Sequence, residues 1–163
     1  MKKTAFLVVG LTVIGQVGLH AQAGMDLDDL VRRGDSYLDP QTFAPYTGLV
    51  VGRWASQTVR ERGTLVAGKW DGLHEWYHEN GRLSVRETYD DGQLDGPSEA
   101  YFKSGQLSVK ETYKNGQLEG PYESYWARGR LAERGSWTSG RECGEWISFG
   151  RSTVYSPCPT SNH

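Results

Sequence analysis

The sequence predicts an all-β protein, an array of about four to five 24-residue β-hairpin repeats forming a twisted or rolled antiparallel sheet. Three observations predict it. Gly48, Gly72, Gly96, Gly120 and Gly144 are spaced by 24 residues, as are Gly68, Gly92, Gly116 and Gly140. The 163 residues hold 21 Gly, 9 Tyr and 6 Trp against 2 Met, a composition of short strands joined by turns rather than of helical bundles. Asn80-Gly81 and Asp91-Gly92 then punctuate one copy with the dipeptides that close β-hairpins.

Residues 1–23 read as an address. Lys2 and Lys3 form a positive start, Ala5 to Leu19 an apolar run, and Ala21-Gln22-Ala23 a small-residue cleavage site, which predicts a signal peptide cut after Ala23. The apolar run is shorter than the roughly 20 residues a membrane helix needs, so no integral membrane segment is expected after cleavage. The expected location is periplasmic or secreted. Beyond residue 23 the chain carries 16 basic and 20 acidic side chains, net -4, which argues against a nucleic-acid partner.

Residues 24–47 form an N-terminal cap segment. Leu30 to Arg33 and Ser36 to Leu38 suit an opening hairpin around Gly34, and residues 26–33 alternatively suit a short helix with Asp28 and Asp29 near its start. Residues 48–150 are the repeat domain, and residues 151–163 a C-terminal tail. The copy from Gly48 is degenerate, with Gln57 where later copies have Gly. The copy from Gly120 departs at Arg128 and at Gly135, which interrupts the second strand. Cys143 and Cys158 are the only cysteines, and in an oxidising compartment they admit one disulfide clipping the tail to the last repeat. Free thiols or an intermolecular bridge are the alternatives, because spacing alone does not bring the Cα atoms together.

Within a copy, Leu73 to His78 and Leu83 to Tyr89 read as paired strands. A two-residue loop at Asn80-Gly81 opposes Glu75 to Arg86, Glu99 to Lys110 and Glu123 to Arg134. A three-residue loop instead sets Glu75, Glu87, Glu99, Glu111 and Glu123 on the side of the Leu stripe, where unpaired carboxylates are costly. The two-residue loop is therefore expected. It places Tyr77, Tyr101 and Tyr125 beside Glu75, Glu99 and Glu123 as a candidate binding strip for a protein, a glycan or a cation, or as structural packing over the charged stems.

The pattern Gly-x4-Tyr-x3-Gly-x-Leu-x5-Tyr-x2-Gly-x3-Gly, from Gly72 to Gly96 and again from Gly96 to Gly120, resembles the bacterial MORN-repeat variant family. Pro45-Tyr46-Thr47-Gly48 is similar to the segment that opens its arrays. The resemblance covers about residues 28–150 and implies a β-hairpin array; many members are labelled antitoxin components.

His74-Glu75-Trp76-Tyr77-His78 matches the H-E-x-x-H zinc motif, whose chemistry needs a helix. In a strand, residues four apart lie roughly 13 Å apart along the chain, so no zinc site is expected. Neither a phosphate loop nor a nucleophile elbow is evident. The expectation is a non-enzyme without metal or cofactor, an exported protein–protein interaction or scaffold module whose partner is an unidentified protein or envelope component. A glycan- or cell-wall-binding module is the alternative, and an antitoxin-like component a further one.

Overall fold

The computed structural model describes residues 24–159. The signal peptide expected at 1–23 lies outside the described residues. The cap segment opens with β1 (Met25–Asp26), a single 3-10 turn (Leu27–Asp29), and the hairpin β2 (Val31–Arg33) and β3 (Ser36–Leu38). The opening hairpin is thus as expected, and the alternative helix shrinks to one turn capped by Asp26.

The array follows as β4 (Gly48–Arg53), β5 (Val59–Val66), β6 (Lys69–Trp70), β7 (Gly72–Tyr77), β8 (Leu83–Asp90), β9 (Gln93–Leu94), β10 (Gly96–Tyr101), β11 (Leu107–Lys114), β12 (Gln117–Leu118), β13 (Gly120–Tyr125), β14 (Leu131–Thr138), β15 (Arg141–Ser148) and β16 (Arg151–Val154). The main path runs β1-β4-β5-β7-β8-β10-β11-β13-β14-β15-β16, with β6, β9 and β12 pairing back on β5, β8 and β11. Neighbours are antiparallel except β1 on β4. The path has two ends, so the sheet is open and does not close into a barrel. The segment expected to be a tail begins as a sheet strand, because β16 pairs with β15 from Ser148↔Arg151 to Glu145↔Val154.

Two kinds of turn alternate. The turns Ala67-Gly68, Asp91-Gly92, Asn115-Gly116 and Ser139-Gly140 are two-residue loops with positive φ at both positions, as at Asp91 (45°) and Gly92 (83°). The loop at Asn80-Gly81 is different, and corrects the sequence expectation. The Gly81 N–H donates to the His78 carbonyl and the His78 N–H to the Arg82 carbonyl, both at 2.8 Å, which makes Glu79, Asn80 and Gly81 a three-residue loop. The pairing then runs Tyr77↔Leu83 and Trp76↔Val85, so Ser84 is an extra residue, a β-bulge. That bulge restores the register the two-residue loop predicted: Glu75 faces Arg86, Glu99 faces Lys110, and Glu123 faces Arg134. The same device recurs in the degenerate copy, where Gln57 takes the left-handed position (φ 66°) that Gly81 fills later.

Consecutive copies are bolted by main-chain bonds that repeat with the sequence. The second residue of each two-residue turn donates to a carbonyl of the preceding copy: Gly68 to Tyr46, Gly92 to Trp70, Gly116 to Leu94 and Gly140 to Leu118, at 2.7–2.9 Å. On the opposite margin Trp54 Nε1 donates to the Tyr77 carbonyl at 3.2 Å, and His78 Nε2 lies 3.0 Å from that of Tyr101. The packed core sits at the N-terminal end, where Leu27 and Leu30 of the cap bury Val50 and Leu65 with Trp70, Tyr37 and Tyr46. At the other end Cys143 and Cys158 are disulfide-bonded, the expected intramolecular pairing, with Cα atoms 4.9 Å apart.

Candidate functional site: two faces of one sheet

Alternation along the strands sorts the side chains onto two faces. The first carries the predicted strip. Tyr77, Tyr101 and Tyr125 each donate a phenol hydrogen to the glutamate two residues earlier, Glu75, Glu99 and Glu123, at 2.8, 2.6 and 2.6 Å. The six side chains are where the sequence placed them. Among the described residues the cross-strand ion pairs close only in the copy from Gly72. Glu75, 5% exposed, holds Arg62 at 2.7 Å on one oxygen and Arg86 at 3.0 Å on the other, with Arg62 lying over the Tyr77 ring. Lys110 and Arg134 stand opposite Glu99 and Glu123 without reaching ion-pairing distance among the described residues.

The Glu75 carboxyl is pushed up by burial, but Tyr77, Arg62 and Arg86 together hold it below the ordinary carboxylate value. Burial, with the neighbouring carboxylate, correspondingly raises the Tyr77 and Tyr101 phenols.

The second face is aromatic. Across its strands one row reads Val50, Gly63, His74, Glu87, Ser98, Glu111, Tyr122 and Gly135, and Trp146 of β15 packs over the last. Positions 63, 87, 111 and 135 are one repeat position, glycine at the ends and glutamate in the middle. The terminal glycines are seats for rings. A Cβ at 63 would meet Trp70 at 3.0 Å and His74 at 3.2 Å, and one at 135 would fall inside the Trp146 indole. β14 runs through Gly135, which pairs with Tyr122, but the pairing with β15 is interrupted there, jumping from Arg134↔Ile147 to Ser136↔Cys143. The row is a trough with aromatic ends and an acidic middle.

Glu87 and Glu111 overturn the argument used for loop length. They share parity with Val85 and Tyr89, so either loop sets them on the apolar side, and their cost is met locally. Tyr89 donates to Glu87 and Tyr113 to Glu111, both at 2.9 Å. No cation pairs with either carboxylate among the described residues. Burial and the adjoining carboxylate push the Tyr113 phenol up to about 12.

Near the first aromatic end a cavity of about 760 Å³ opens, lined by Trp54, Trp76, Tyr77, Tyr89, Glu61 and Glu87, with Arg60, His78 and Lys103 also on its walls. Glu61 is organised: Arg60 Nε lies 3.0 Å from one oxygen and His74 Nε2 3.2 Å from the other, while Arg60 also reaches Asp28 of the cap at 2.8 Å. Burial raises the Glu61 carboxyl, and His74 and Arg60 more than offset this, holding it below the ordinary value.

The two histidines of the zinc-like motif serve different neighbours. His74 is 2% exposed, its ring stacked 3.6 Å from Trp70 and tilted at 3.7 Å from Trp76, with Nδ1 lacking a partner among the described residues. His78 lies past the strand end, on the next copy's backbone. Of the predicted strip only Tyr77 lines the large cavity. Trp54, Glu61 and Glu87 were missed by sequence reasoning; the 24-residue step from Gly63 to Glu87 was the signal that would have found the acidic row.

These features define a β-hairpin repeat protein. The family model described as MORN repeat variant matches residues 70–91 and 94–115, two adjacent copies that coincide with β7–β8 and β10–β11. The copies at β4–β5 and β13–β14 lie outside those matches and are recognised by spacing and strand pairing. No curated protein matches the chain.

Proposed function

We propose that this is an exported, non-enzymatic repeat protein that holds a polypeptide partner across its aromatic face. The carrying observation is the 760 Å³ cavity walled by Trp54, Trp76 and Tyr89 on a sheet whose copies are locked in register by main-chain bonds. A rigid, extended, aromatic surface suits an extended partner, and buried aromatic anchors dominate such contacts. Export rests on the Lys2-Lys3 start, the apolar run and Ala21-Gln22-Ala23, with the Cys143–Cys158 disulfide in support. The non-enzymatic reading is supported by the commitment of the candidate groups to neighbours: Glu75, Glu87, Glu99, Glu111 and Glu123 each accept a phenol, and His74 and His78 do not converge.

Glycan binding is the second reading, favoured by Trp54 and Trp76 beside Glu61 and Glu87, which offer stacking surface and hydroxyl acceptors in one cavity. Affinity capture of the mature protein from envelope extract, with cell-wall material as parallel bait, separates the two. We expect one protein partner at near-equal stoichiometry, lost in Trp76→Ala and kept in Tyr101→Ala on the opposite face. Retention on wall material alone, competed by free sugar, would replace the reading with glycan recognition. Loss in Tyr101→Ala with retention in Trp76→Ala would move the surface to the tyrosine strip.

A further inference from the structure

The other end of the aromatic face carries a second cavity, of about 400 Å³, walled by Tyr122, Trp137 and Trp146 and by Glu111, Glu133 and Glu142. Its chemistry differs from the first. Arg60, His78 and Lys103 line the first cavity, whereas among the described residues no Lys, Arg or His lines the second.

Two of its carboxylates are held by a hydroxyl instead of a cation, Glu111 by Tyr113 at 2.9 Å and Glu133 by Ser148 at 2.6 Å, and the Glu142 carboxylate raises the Tyr155 phenol. The rings are fixed against one another, Trp146 stacked 5.4 Å from Tyr122 and edge-on 5.2 Å from Trp137. Trp137 keeps a buried indole N–H without an acceptor among the described residues. Among the described residues no three carboxylates converge closely enough to chelate a metal ion. A cation held here is therefore one that fills a cavity and covers ring faces, with its charge spread over several ångströms.

We infer that this cavity is a binding site for an organic cation of the alkylammonium type, held by ring faces on one side and by the field of Glu111, Glu133 and Glu142 on the other. Ring quadrupoles attract such cations, and a poorly hydrated ammonium loses less on leaving water than a metal ion does. The cation comes either free, as a quaternary amine, or on a trimethylated lysine side chain of a polypeptide. The site stands apart from the first cavity and does not need a protein partner to be found.

The test is titration of the mature protein with choline, with its neutral isostere 3,3-dimethyl-1-butanol, with an N-acetyl-trimethyllysine amide and with calcium, following indole N–H resonances by NMR. We expect saturable shifts with choline or the trimethyllysine amide, the stronger of the two naming the source, and at least tenfold weaker binding of the isostere. The Glu111→Gln/Glu133→Gln double variant should lose at least tenfold in affinity while Glu99→Gln, on the opposite face, binds as the parent does.

Equal binding of the isostere, equal or tighter binding of calcium, unchanged affinity in a double variant that melts like the parent, or no saturable shift up to about 10 mM would each overturn the inference. Should the double variant not fold, the comparison of choline with its isostere on the unaltered protein still decides.

Discussion

The two faces of the sheet carry the same pair of side chains, a glutamate and the tyrosine two residues on, in two electrostatic settings. On the strip face Glu75 is bonded to Tyr77 and also clamped by Arg62 and Arg86. On the aromatic face Glu87 and Glu111 have their phenols and no cation. The phenol thus satisfies a carboxylate geometrically, and the cation across the strand is what neutralises it. Around Glu75 the strip face is consequently neutralised, whereas the aromatic face retains negative potential beside Trp and Tyr rings, the combination a cationic or amphipathic ligand needs.

The largest test of the comparison attacks the frame that keeps the faces apart. Gly135→Val drives a branched side chain into the Trp146 indole, and we expect a loss of about 3 kcal/mol, read as a drop in the denaturant midpoint, with the second cavity lost as well.

Next come matched substitutions on the two faces. Glu75→Gln turns an acceptor of two guanidinium groups into an amide whose N–H2 faces one of them, and should cost about 2 kcal/mol. Glu87→Gln keeps an acceptor for Tyr89 and removes an unpaired charge, so its change should stay within about 0.5 kcal/mol. Equal losses in the two variants would erase the distinction drawn between the faces.

Titration sharpens the same contrast. Glu75 and Glu61 titrate below their ordinary value of 4.5 in the folded chain, so each contributes stability present above that value and lost as pH falls through its folded value. Acid unfolding followed by circular dichroism should begin below about pH 4.5, with a shallower slope in Glu75→Gln. At the alkaline end Tyr113 is raised from 10.0 to about 12, and its contribution is present below pH 10 and lost as pH rises through about 12. Phenolate absorbance should show a late-titrating tyrosine that moves to lower pH in Glu111→Gln.

The smallest effect is expected at the exposed margin. Lys114 bridges to Asp95 at 2.9 Å, one link between neighbouring copies, and Lys114→Met should shift stability by less than about 0.5 kcal/mol and by still less in high salt.

Much of the fold was legible because its cause is local. The 24-residue glycine step is a consequence of turns that need left-handed backbone at fixed places, and Asp91-Gly92 announces one of them. The Glu75–Arg86 register was legible because it sets Glu75, Glu99 and Glu123 each opposite a cation across the strand. The loop itself was misread: Asn80-Gly81 suits a two-residue turn, but the chain uses three residues and expels Ser84 as a bulge, which gives the same register from a different loop. Two local solutions with one long-range result are indistinguishable from spacing.

The candidate site was half legible. Tyr77, Tyr101 and Tyr125 were found beside their glutamates, yet whether Lys110 and Arg134 reach Glu99 and Glu123 depends on where exposed, flexible stems settle.

The sequence by itself determined the repeat, the hairpin as its unit, the strand register within each hairpin and the only cysteine pair available. These follow from backbone sterics, side-chain alternation and desolvation, which act over a few residues or repeat identically along the chain. The tertiary structure alone decided that the sheet stays open, that Arg151–Val154 joins it, and that the acidic row runs between rings seated on Gly63 and Gly135. Those outcomes turn on contacts between side chains far apart in sequence, whose fit depends on shape and volume in three dimensions.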